Sequence, residues 1–188
     1  GEENRLTDPI LEAAATLRRG GIVAYPTETV YGLGCRPDDE VALRRLIDIK
    51  GRDADKGFIL LAGHPMQLVP YVTDLDDTQW HTITRPGERA TSWTVPPAAG
   101  LSPLLTGCHD RIAIRVTTHP PVVALCQQAG SALVSTSANP SGQPPVKSAA
   151  ALDPRLAARL DYVLDAPCGD DPRPSRIIDL ESGRILRP

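Results

Sequence analysis

Lys50, Arg52 and Lys56 set three fixed cations within seven residues. Such a cluster can neutralise phosphate oxygens, with the arginine acting as a bidentate fork. It can equally be a helix end, with Lys50 complementing the helix C-terminus and its neighbours solvated. Asp48, Asp53 and Asp55 interleave with these cations, so the segment is not a nonspecific basic patch. The run Ser135-Thr136-Ser137-Ala138-Asn139-Pro140-Ser141-Gly142 offers hydroxyls and an amide. These suit carboxylate, phosphate or base edges, or else form a turn held by its own side chains. Arg111 and Arg115 flank Ile112-Ala113-Ile114. In a strand, positions four apart share a face, so the two arginines either meet anions or lie on an exposed edge. The stretch Ala24-Tyr25-Pro26-Thr27-Glu28-Thr29-Val30-Tyr31-Gly32-Leu33-Gly34 adds hydroxyls and a carboxylate beside glycines, which let backbone approach a ligand. Ser175, in Pro174-Ser175-Arg176, is uninformative by itself.

These groups bind and position anions, and none of them is a strong nucleophile. His64, His81, His109 and His119 are scattered, and there is no Ser-His-Asp context, no G-x-x-x-x-G-K-[ST] and no G-x-G-x-x-G. The set suits an enzyme that works by positioning and charge stabilisation.

The elements that must carry them are read from periodicity. Asp8 and Pro9 open a helix in which Ile10, Ala13, Ala14 and Leu17 recur at helical spacing, and Gly20-Gly21 stop it. Residues 22–25 read as a short buried strand, and residues 26–34 read as a loop. Asp38 caps a second helix with Val41, Ala42, Arg45, Leu46 and Ile49 on one face. Further strands are expected at residues 58–61, 92–95, 112–116, 133–136 and 162–164. Helices are expected at about 65–69, 76–84, 122–128 and 153–160. A final hairpin pairs residues 176–180 with 184–186 around Ser182-Gly183. Strands and helices mostly alternate, which predicts an α/β fold with a mixed, largely wound sheet and ligands bound beyond strand ends.

Composition bounds the alternatives. The 188 residues fit one domain spanning 1–188, and the 41% apolar, 4% aromatic content requires a core of Ala, Val, Leu and Ile. A net charge of -3 argues against a general nucleic-acid coat protein. Cys35, Cys108, Cys126 and Cys168 lack two-residue spacing and flanking histidine pairs, so a zinc site is not expected and reduced cytosolic thiols are. No 18-residue apolar window and no signal peptide are present, which predicts a cytoplasmic protein without membrane association. The chain opens at Gly1 and its one methionine is Met66, so Gly1 is expected to be an expression remnant or a processed end.

Taken together, Tyr25-Pro26-Thr27-Glu28-Thr29-Val30-Tyr31-Gly32-Leu33, Lys50-x-Arg52, Ser135-Thr136-Ser137-Ala138-Asn139-x-Ser141-Gly142 and Ser175 resemble the YrdC/TsaC family of threonylcarbamoyl-AMP synthases. The likeness runs from about Asp8 to Arg187 in the family's order and spacing, and is closest to the short bacterial type that lacks an extra C-terminal domain. It implies a twisted, largely open mixed sheet with helices on its faces and a concave basic cavity. It also implies a reaction: L-threonine, bicarbonate and ATP, the last carried with Mg²⁺, give threonylcarbamoyl-adenylate and pyrophosphate. The product serves N6-threonylcarbamoylation of adenosine 37 in tRNA through partners of the TsaD, TsaB and TsaE types, with weak tRNA binding by the chain itself.

The resemblance also implies site roles. Thr29 would contact threonine, and Lys50 and Arg52 would hold ATP phosphates as the catalytic pair, with Lys56 nearby. Arg115 would meet the threonine carboxylate or a phosphate, and Arg111 the nucleotide end. Ser135, Ser137 and Asn139 would line the nucleotide and threonine site, and Ser175 would close it. No protein side chain is implied as a metal ligand.

Two positions depart from the family pattern. Leu61 stands where longer members carry a histidine. Thr84-Arg85-Pro86-Gly87-Glu88-Arg89-Ala90-Thr91 replaces a Trp-Pro-Gly-Pro-[LV]-Thr turn. The competing readings are a nonenzymatic double-stranded RNA or tRNA-binding module, which would show salt-dependent binding and no need for threonine, and the carbamoyl-adenylate chemistry of hydrogenase-maturation carbamoyltransferases.

Overall fold

A computed structural model describes residues 2–188, with side chains from residue 8 onward. Its strands are β1 (Val23–Pro26), β2 (Tyr31–Gly34), β3 (Ile59–Ala62), β4 (Thr91–Val95), β5 (Ile112–Val116), β6 (Leu133–Ser137), β7 (Tyr162–Val163), β8 (Arg176–Asp179) and β9 (Ile185–Arg187). Its helices are α1 (Glu2–Arg18), α2 (Glu40–Lys50), α3 (Asp77–Thr84), α4 (Pro103–Thr106), α5 (Pro120–Ala129) and α6 (Pro154–Ala157). The strands form one open, twisted sheet in the order β7-β1-β2-β6-β3-β5-β4-β8-β9.

The mixed sheet is less wound than the alternation of elements predicts. Only β1/β7, β3/β5 and β4/β8 pair in parallel, and the other five pairings are antiparallel. One reason is β2, which the sequence disguises as loop. Two of its four residues are Gly32 and Gly34, yet it pairs with both β1 and β6. The glycines are required by close approach. A Cβ on Gly34 would lie 2.1 Å from the Val134 carbonyl oxygen and 2.9 Å from the Tyr25 ring. Tyr25 is fully buried and its hydroxyl donates to that same carbonyl at 2.9 Å, as a buried phenol requires. Gly34→Ala should therefore lower stability by about 2–3 kcal/mol through overpacking. A urea midpoint equal to that of the unsubstituted chain would contradict this packing.

Other differences are local. Asp8 is not an N-cap, because α1 begins at Glu2 and carries Pro9 inside it. Asp39, not Asp38, caps α2 by accepting from the Ala42 N–H at 3.0 Å. Residues 65–71 form two 3-10 turns in place of a short helix. Asp76 caps α3 in a capping box with Gln79, in keeping with the helix expected from residue 76.

The two faces of the sheet differ, and that difference makes the site. Leu60, Ile112, Ile114 and Val134 point to one face and join the larger core with Ala42, Leu43, Leu46 and Ile49 of α2. Along the opposite face run Ile59 and Leu61 of β3, Ala113 and Arg115 of β5, and Leu133 and Ser135 of β6, in register. At the Leu61–Leu133 level, α1 and α5 cover this face with Ala13, Leu17, Val122, Leu125 and Cys126. At the Ile59–Ala113–Ser135 level the same face is open and lines a cavity. Leu61, the departure from the longer family members, thus belongs to the covered half, fully buried in this second core.

Candidate active site

The cavity measures about 720 Å³, a volume suited to a small-molecule ligand. Thr29, Lys50, Arg52, Lys56, Arg111, Arg115, Ser135, Ser137, Asn139 and Ser175 all line it. Its lining carries seven Lys or Arg side chains (these five plus Arg184 and Arg187) against Asp110 and Asp179.

Lys50 and Arg52 reach the cavity because α2 ends at Gly51, whose left-handed φ of 63° reverses the chain between them. Lys50 does not turn back to its own helix. Its ammonium donates to the carbonyl oxygens of Ser137 and Asn139, each at 2.7 Å, and so clamps the loop that leaves β6. Burial, with Arg52 and Lys56 close by, lowers the Lys50 pKa to about 8. Arg52 donates to Thr136 Oγ1 at 2.9 Å and lies 5.0 Å over the Phe58 ring, a cation–π stack. Lys56 is exposed at the rim, on a 3-10 turn capped by Asp53. Asn139 is committed to its own loop, since its amide donates to the Pro140 and Gln143 carbonyls.

The other cations enter differently. Arg115 is 5% exposed at the boundary between cavity and covered core, ion-paired with Glu28, and its Nε has no hydrogen-bond partner among the described residues. Burial lowers its pKa to about 10, and Arg187 pushes in the same direction. Arg111 is tied to Asp179 at 3.4 Å and Glu181 at 2.8 Å, so much of its charge is already compensated. Ser175 is buried, 2.8 Å from Ser92 Oγ, and accepts from Arg187 on both its carbonyl (2.8 Å) and its hydroxyl (3.1 Å). The altered turn reaches this wall as well: Arg89 donates to the Pro174 carbonyl at 3.2 Å and to that of Pro188 at 2.9 Å.

Sequence reasoning singles out neither Arg187 nor Glu28 as a site residue. Arg187 sits in a short edge strand with no motif around it. Glu28 meets Arg115 only across the fold, and its place in the Thr27–Thr29 stretch is the one available signal.

A half-open sheet face floored by strand hydroxyls and rimmed by Lys and Arg marks an α/β protein whose cavity is suited in shape and charge to anionic small molecules. Residues 15–188 match the Sua5_yciO_yrdC family model, described as telomere recombination, and the chain belongs to that family. It is 49% identical over 173 residues to a protein of Thiobacillus denitrificans named threonylcarbamoyl-AMP synthase, covering 92% of each chain. It is 48% identical over 181 residues to one of the same name from Chromohalobacter salexigens, covering 96% of this chain and 97% of the other. P. abyssi Sua5, solved in complex with L-threonine, superposes with a TM-score of 0.85 at 29% identity over 95% of this chain. The chain spans 53% of that Sua5 chain's length. Among the described residues, no helix is long and apolar enough to cross a membrane.

Proposed function

We propose that this chain joins L-threonine, bicarbonate and ATP into threonylcarbamoyl-adenylate with release of pyrophosphate, as a nucleotidyltransferase of tRNA modification. The observation that carries the reading is the separation of the cavity's cations into two groups. Arg52 and Lys56 stand close enough to Lys50 to act on its charge, and Arg187 close enough to Arg115 to act on its charge. The first group suits a polyphosphate and the second, beside Thr29 and Ser175, suits an amino-acid carboxylate.

In this reading the threonine amine forms a bond to the bicarbonate carbon with loss of water. A carbamate oxygen then attacks the α-phosphorus of ATP as the bond to the departing pyrophosphate breaks. Charge grows on phosphate oxygens in that step, so Lys50 and Arg52 bind the transition state better than the ground state. Mg²⁺ enters as part of the ATP complex. Asp179, a carboxylate on the cavity wall, is engaged by Thr94, the Ser182 N–H and Arg111, which fits a metal carried on phosphates better than one caged by protein. The proposed compartment is the cytoplasm, and the product's proposed consumers are TsaD-, TsaB- and TsaE-type proteins acting on tRNA.

The test is pyrophosphate release with ATP, Mg²⁺ and bicarbonate, with and without L-threonine. Release that depends on threonine and bicarbonate, with serine much poorer, is expected. No release from protein that binds tRNA in a salt-dependent way would replace this reading with the RNA-binding one. The net charge of -3 and the concave, small-molecule-sized cavity disfavour that alternative.

A further inference from the structure

Thr27 lies next to the site and has no part in that reaction. Its hydroxyl donates to the Val30 carbonyl at 2.7 Å, accepts from the Thr29 N–H at 3.1 Å, and lies 3.1 Å from Thr29 Oγ1. A hydroxyl has one proton and two lone pairs. The Val30 oxygen can only accept, so the single Thr27 proton is spent there. The contact between the two hydroxyls must then run from Thr29 to Thr27, which fills the second Thr27 lone pair. The Thr29 proton is thereby held away from the cavity, and its oxygen presents lone pairs alone. Both residues are 2% exposed and line the cavity. Glu28, between them in the chain, touches the Arg115 guanidinium, and Thr29 and Arg115 line the same cavity.

We infer that Thr27 is a positioning residue that fixes Thr29 as an obligate hydrogen-bond acceptor for the amino group of the threonine substrate. This inference rests on the proposed function. An α-amino acid whose carboxylate meets Arg115 carries its amino group one carbon away, within reach of the adjacent acceptor. The direction of the bond matters to the chemistry. An acceptor holds the amine by an N–H and leaves its lone pair free to attack. A hydroxyl that donated instead would occupy that lone pair.

The experiment is calorimetric titration of the purified chain, its Thr27→Val variant and its Thr27→Ser variant. Ligands are L-threonine, L-2-aminobutyrate (amine without hydroxyl), (3R)-3-hydroxybutyrate (hydroxyl without amine) and ATP. Thr27→Val should weaken threonine and 2-aminobutyrate about tenfold or more, leave 3-hydroxybutyrate and ATP unchanged, and be rescued by Thr27→Ser. Equal losses for all four ligands would show a merely structural role and overturn the inference. A loss for 3-hydroxybutyrate without one for 2-aminobutyrate would assign the acceptor to the substrate hydroxyl and overturn it as well. If the unsubstituted chain binds ATP but no threonine, the proposed function itself falls and takes the inference with it.

Discussion

Arg52→Ala should cut threonine-dependent pyrophosphate release by about 10²–10³ while the protein melts close to the unsubstituted chain. The guanidinium makes one hydrogen bond, to Thr136 Oγ1, and one stacking contact, over Phe58. Its removal costs the fold on the order of 1 kcal/mol. Lys50→Ala should behave differently although the two residues stand on either side of one glycine. It loses comparable rate, and it also leaves the Asn139 carbonyl without its donor, while the Ser137 carbonyl keeps the Asn139 N–H at 3.0 Å. An unsatisfied buried acceptor costs about 1–3 kcal/mol, so a stability loss of that order is expected on top of the catalytic one.

The two roles of Lys50 separate by pH. Burial and the neighbouring cations place its pKa at about 8 in the free protein. Below that value the ammonium is charged and attracts phosphate. Above it the neutral fraction grows, so ATP affinity should fall as pH rises through about 8. Lys50→Met should bind ATP weakly at all pH values and lack that limb. Turnover of Arg52→Ala within tenfold of the unsubstituted chain would remove Arg52 from the machinery. An unchanged melting temperature for Lys50→Ala would contradict the carbonyl clamp.

That double role marks the limit of what the sequence discloses. Lys50, Arg52 and the Ser135–Asn139 run are legible as anion binders because their residue types and spacing are local facts. Lys50, Arg52 and the polar residues of that run line one cavity, as do Thr29, Arg111, Arg115 and Ser175. Their partners are not legible. That Lys50 holds carbonyls 87 and 89 residues away, and that Arg111 arrives already paired with Asp179 and Glu181, are consequences of strand order. Local pattern does not carry strand order. β5 is readable because Ile112, Ile114 and their neighbours alternate cleanly. β2 is not, because Gly32 and Gly34 are chosen by the ring of Tyr25 across the hairpin and not by strand propensity. The α1 boundary is hidden for a related reason: Pro9 reads as a helix start, yet this helix accommodates it in its interior.

Arg115→Met should abolish measurable threonine binding and destabilise the protein, and pairing it with Glu28→Gln should separate those two effects. Arg115 is buried with Glu28 as its ion-pair partner, and Glu28 also accepts from the Thr117 hydroxyl. Removing one member of a fully buried pair costs about 3–5 kcal/mol, because the other charge is stranded. Here the Glu28 side chain remains 28% exposed, so water rescues part of the stranded charge, and about 2 kcal/mol is expected for Arg115→Met. Glu28→Gln strands the more deeply buried partner and should cost more, toward about 3 kcal/mol. In the double variant neither charge is left uncompensated, and a Met of suitable volume can extend the apolar layer around Leu61 and Leu133. Its stability should therefore exceed the sum of the single losses by about 1–3 kcal/mol in a denaturation cycle. Threonine binding should not return, because the double variant restores the fold without restoring the cation that meets the carboxylate. A double variant that binds threonine like the unsubstituted chain would take Arg115 out of substrate recognition. Strictly additive stabilities would show that the pair does not couple, and the Arg115 Nε, with no hydrogen-bond partner among the described residues, would then need some other anion to account for its burial.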